Sequence, residues 1–156
     1  MKKKTTIGLS VFICFVFIQS LFFKFTNAPE TQHIFGVLDR WSTDAFGISN
    51  LFINGGVFNA YIIGSIELVT AIFIIGGLIT RFKFLTPLGA LMAMSVITGA
   101  IFFHIVTPLG IVVQDDGGTL FGMAVGVWFA SLALITIHKD KLINLSCNLF
   151  CHKANT

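Results

Sequence analysis

The chain has 156 residues, 55 % of them hydrophobic and 11 % charged, with a formal net charge of +3. Soluble globular domains carry about 25 % charged residues, and a soluble chain this apolar would expose a large greasy surface and aggregate. The composition argues for lipid as the solvent, and the small, dispersed charge argues against a nucleic-acid partner.

Four stretches are long enough to cross roughly 30 Å of hydrocarbon as helices of about 20 residues: residues 7–23, 57–79, 84–106 and 119–137. Helices are expected, because lone strands would leave backbone polar groups unpaired in lipid. The predicted fold class is all-α. One membrane domain covers 1–156, a four-helix transmembrane bundle with a short amphipathic helix in the first outer loop.

The first span follows Lys2, Lys3 and Lys4. Its apolar run exceeds the roughly 7–15 residues of a signal peptide, and the one candidate cleavage point, after Ala28, precedes Pro29. The span is expected to be retained. In the outer segment 24–56, Asn27 and Glu30 stand three apart, as in a capping box. Ile34, Leu38, Trp41 and Ala45 then recur at helical spacing with Phe35 beside them. This predicts an amphipathic helix lying on the membrane surface or folded onto the bundle.

Span two places Ala60, Gly64 and Ala71 on one face together with Glu67. A turn near residues 80–83 makes spans two and three antiparallel neighbours. Span three carries Gly89, Ala93 and Ala100 on the face that ends in His104. Residues 107–118 hold Pro108, Gly110, Asp115, Asp116, Gly117 and Gly118, and span four spaces Gly118, Gly122, Gly126 and Ala130 four apart. Small residues let helices approach closely in lipid. Glu67 and His104 are therefore expected inside the bundle, and the glycine row of span four is the expected face of a homodimer.

The segment 138–156 is read as a tail, with Leu142, Leu145 and Leu149 laying it on the membrane. Cys147, Cys151 and His152 lack the spacing of a zinc or thioredoxin-type motif. Cys14, in span one, reads as packing. With Cys14, Cys147 and Cys151 the only cysteines, no disulfide framework is expected.

Basic residues set orientation. With four spans, Lys2, Lys3, Lys4, Arg81, Lys83, Lys139, Lys141 and Lys153 share one side, against Lys24 and Arg40 on the other. The richer side, with both termini, is expected in the cytoplasm.

Glu67 sits roughly 15 Å below the outer end of its span, where a charged side chain costs a few kcal/mol or more and is by default a functional candidate. It reads as a proton or ligand group, or else as glue between helices. His104 lies nearer the outer end, roughly 8–12 Å from that depth, with Gln19 of span one between them as a bridge. The alternative for His104 is an imidazole bonded to a backbone carbonyl. Asp116 is expected to cap span four, and Asp115 and Asp116 together could form a polar mouth leading toward His104 and Glu67. A b-type haem would want two facing histidines and an iron–sulfur cluster about four cysteines, which this chain does not offer. No metal site is expected.

Three stretches resemble the DoxX family of small bacterial membrane proteins: Gln19 to Thr26 leading into Ala28, Pro29 and Glu30; Gly64 to Leu68; and Gly99 to His104, followed by Pro108, Leu109, Gly110, Ile111 and Gln114 to Gly118. Where the family commonly has a glycine before Asp-Gly-Gly, this chain has Asp115. The resemblance implies a four-helix bundle in the bacterial inner membrane. It also implies an accessory subunit of a redox system, with a quinone or a redox partner protein as its contact. Two rival readings are a small-solute or proton transporter using the same polar residues, and a scaffold without chemistry of its own.

Overall fold

The structure is a computed structural model that describes residues 2–53, 55–79 and 81–151, the side chains of 145, 146 and 148–151 excepted. The expectations for Leu145, Leu149, Cys151 and His152 fall outside the described side chains, and Thr80 of the expected turn outside the described residues. The described chain forms six helices: α1 Lys2–Phe25, α2 Pro29–Phe46, α3 Ala60–Ile79, α4 Leu85–Val106, α5 Thr119–Ile137 and α6 Lys139–Cys151. Four of them, α1, α3, α4 and α5, are long and apolar enough to cross a membrane. The chain is a multi-pass membrane protein.

These four pack in a closed ring, α1 against α3, α3 against α4, α4 against α5 and α5 back against α1. Each is apolar all round, as a lipid-facing helix must be, so the interior is marked by residue size. Ile13 and Phe17 of α1, Ile74 of α3, Ala90 and Ala93 of α4 and Val127 and Leu134 of α5 meet at its centre. The closest approach joins α3 and α4. A Cβ on Gly77 would fall onto the backbone and hydroxyl of Thr86, and one on Gly89 would come within 2.7 Å of Ile74. The glycine row of α5 is divided. Gly126 packs on Phe12, Gly122 faces open space, and Gly118 lies in the preceding loop at φ 82°.

The capping box expected at Asn27 does not form. Asn27 takes the left-handed conformation, φ 51°, at the end of α1. Its N–H donates to Lys24 O, and that of Ala28 donates to Phe23 O. This closes the helix in a Schellman arrangement, a position where asparagine is tolerated. Ala28 becomes the residue before α2, without a side-chain cap, and Pro29 opens the helix.

The amphipathic helix is present as α2, folded onto one end of the bundle. Leu38 joins Phe52, Leu109 and Val113 in a second core, with Ile34, Phe35 and Phe103 against it. Asp39 holds the following loop to α2, its carboxylate accepting the N–H groups of Asn50 and Phe52. This α2 end is thus closed by α2 and by the segments 47–53, 55–59 and 107–118. The opposite end carries the start of α1 and the α5–α6 junction, where the Thr6 hydroxyl lies 3.1 Å from His138 Nε2.

Candidate functional site

Glu67 is buried, 4 % exposed, and its carboxylate is engaged by a residue the sequence pattern assigned to the outer loop. Lys24 lies in the last turn of α1, and its Nζ is 2.9 Å from both Oε1 and Oε2 of Glu67. The same ammonium donates to the Ser20 hydroxyl. The local sequence explains the reach. Ser20 and Lys24 stand one helical turn apart on α1, as Gly64 and Glu67 do on α3. The Lys24 stem lies along α3 beside Gly64, its Cδ 3.5 Å from where a Cβ would stand, and turns inward to the carboxylate. Long lysine side chains commonly extend so that the stem is covered while the head finds a polar partner. Glu67 lies seven residues into α3, about 10 Å from its start.

His104 is also buried, 8 % exposed, in the last turn of α4. Its Nδ1 lies 2.6 Å from Gly110 O. A carbonyl can only accept, so Nδ1 carries the proton and Nε2 is left as the second polar atom. The ring stands edge-on to Phe121 with centroids 5.6 Å apart. Glu67 and His104 therefore occupy the same end of the bundle, but no hydrogen bond joins them. Gln19 does not bridge them; it is exposed on α1. An α-helix turns about 100° per residue, so Gln19 points away from the face that Ser20 and Lys24 share.

The N-cap position of α5 is held by Gly118, and Asp116 braces the start of the helix from two residues before it. Oδ1 accepts the N–H groups of Val113 and Gly118, and Oδ2 that of Leu120 in the first turn of α5. Partial burial by itself would raise its carboxyl. The N–H groups of Leu120, Val113 and Gly118, and then the nearby His104 imidazole, hold it below the usual carboxylate value. Asp115 is exposed at φ 62° and makes no hydrogen bond. The two acids thus divide: one organises the loop around His104, the other faces solvent.

Among the described residues no three His, Cys, Asp or Glu side chains gather to hold a metal ion. A shallow groove of about 510 Å³ runs along α2, lined by Val37, Arg40, Trp41, Asp44, Ala45 and Pro108. It includes neither Glu67 nor His104. Cys14 is buried, its Sγ 3.9 Å from Ala71 O, and Cys147 is exposed.

Sequence reasoning missed Lys24 and Ser20. The signal was available in the spacing of Ser20 and Lys24, once α1 is carried past Phe23 to Phe25. Comparison with protein-family models, with curated proteins and with solved structures finds no match.

Proposed function

We propose that the chain is a DoxX-like accessory subunit of a membrane redox system, and that Lys24, Ser20 and Glu67 form its ligand and proton site. It would sit in a bacterial inner membrane with both termini in the cytoplasm and α2 outside. The observation that supports this reading is the ion pair itself, two opposite charges held inside an otherwise apolar bundle. Desolvating such a pair is costly, and well-packed hydrophobic residues in its place are often neutral or more stabilising. Packing alone does not call for it.

The chemistry available suits a quinone. A quinone carbonyl accepts hydrogen bonds, and the Lys24 ammonium and Ser20 hydroxyl are the donors to meet it. Glu67, released from lysine, is then the carboxylate that takes up or gives the proton accompanying quinone reduction. His104 Nε2, at the same end, is a second proton acceptor.

Purification in mild detergent, with mass spectrometry of the lipid extract, tests this. Quinone is expected to accompany the wild-type protein, and Glu67→Gln and Lys24→Met are expected to lose it at least tenfold while keeping their helical circular dichroism. Wild-type protein without quinone, in a membrane that contains it, sinks the reading. A scaffold is favoured by one specific observation: Lys24 already satisfies both carboxylate oxygens. For a clamp alone, replacing both charges by apolar residues leaves growth and complex formation unchanged.

A further inference from the structure

Among the described residues, two buried hydroxyls of the bundle have no partner. Ser10 is 1 % and Ser131 0 % exposed, and neither Oγ makes a hydrogen bond. Other hydroxyls on these helices are satisfied locally. Thr6, Ser65, Thr70, Ser95 and Thr98 each donate to the carbonyl four residues back. Ser10 and Ser131 do not, and a buried hydroxyl left unpaired in an apolar interior is costly.

Both lie on one seam. Thr6 of α1 meets His138, the residue that ends α5. Ser10 is four residues on from Thr6, one turn along the same face of α1. Ser131 is seven residues back from His138, two turns along the same face of α5. At about 1.5 Å per residue these positions stand roughly 6 and 10 Å in from the Thr6–His138 contact, within about one turn of each other. Farther in, Ile13, Phe17, Ile74 and Val127 close the interior. Leu134, 0 % exposed, lies on the same α5 face between Ser131 and His138 and joins that apolar core, so the two serines are polar groups enclosed by apolar packing on both sides.

We propose that Ser10 and Ser131 bind an internal water between α1 and α5, enclosed within the apolar packing of the bundle. Buried water typically makes about three hydrogen bonds to groups that otherwise lack partners. Two hydroxyls, each able to donate and accept, with the helix carbonyls they leave unused, supply them. The site lies toward the His138 end of the bundle, away from Glu67. It stands independently of the reading of the Lys24–Glu67 pair.

Two measurements on the full chain in liposomes test it. In water-edited solid-state NMR of the wild-type protein, Ser10 and Ser131 are expected to receive magnetisation from water several-fold faster than Thr70, which is fully buried and bonded to Ile66 O. Build-up at both serines as slow as at Thr70 overturns the proposal. In a double-mutant cycle, Ser10→Ala and Ser131→Ala are each expected to lower the melting temperature, and the double variant to lower it by clearly less than their sum, because both hydroxyls share the same water. Singles that raise the melting temperature, or losses that add, mean dry hydroxyls with no common partner and overturn it as well.

Discussion

Lys24 Nζ is equidistant, at 2.9 Å, from the two carboxylate oxygens of Glu67, which ties the last turn of α1 to the second turn of α3. Both partners are largely buried, the side chains 14 % and 6 % exposed. Removing one charge strands the other. Lys24→Met and Glu67→Met are each expected to cost about 3–5 kcal/mol. The double variant is expected to recover most of that loss, because no uncompensated charge remains. Thermal unfolding in detergent reads the cycle, and losses that add would mean the two residues are not coupled.

The bundle was legible in the sequence because lipid imposes a length and a polarity that few other constraints share. The predicted spans at 57–79, 84–106 and 119–137 end within a few residues of α3, α4 and α5. The site was legible only in half. Glu67 stood out as an acid in an apolar run, whereas Lys24 follows Phe22 and Phe23 at a span end, where a lysine reads as an ordinary interfacial anchor. The Ser20–Lys24 spacing puts both on one face of α1, but the partner that draws the lysine inward, Glu67, is on another helix. Asn27 misled for a related reason: asparagine suits both a helix start and a left-handed helix end. The Lys24–Asn27 and Phe23–Ala28 bonds that decide between them belong to the preceding helix.

Two glycines with similar surroundings in the sequence should respond oppositely to the same methyl group. At Gly77 a Cβ falls on the backbone of Thr86, so α3 and α4 must move apart. Gly77→Ala is expected to cost about 1–3 kcal/mol or more. At Gly122 nothing lies within 4 Å, and alanine is the better helix former by about 1 kcal/mol. Gly122→Ala is expected to be neutral or stabilising. Melting temperatures of the two variants check the pair, and equal losses would contradict the close approach assigned to Gly77.

The two neighbouring acids should separate just as clearly. Asp116 accepts three backbone N–H groups, and Asp116→Ala is expected to cost about 1–2 kcal/mol, as much as the loss of a strong helix cap. Amide hydrogen exchange should accelerate at Val113, Gly118 and Leu120. Asp115, exposed at φ 62°, pays for a conformation that glycine adopts freely, so Asp115→Gly is expected to leave stability unchanged or slightly raised. Because the Asp116 carboxyl is held below its usual value, its contribution is present above about pH 4 and disappears as pH falls through the depressed folded value. Acid melting curves of Asp116→Asn should lack that step.

His138 sets the pH response on the milder side. Burial first, then the charges of Lys141 and Lys2, lower its folded-state value below the ordinary imidazole range, and Thr6 Oγ1 is its hydrogen-bond partner at 3.1 Å. The unfolded chain therefore binds a proton that the folded chain refuses. By linkage, stability is complete above an ordinary imidazole value of about 6.5 and falls as pH drops below it, levelling once the folded value is passed. Between pH 7.5 and 5.5 the wild-type melting temperature is expected to decrease. His138→Gln, which keeps a polar group toward Thr6 but does not titrate, should flatten that slope while leaving the acid step of Asp116 in place. A slope unchanged by the substitution would assign the response to another group.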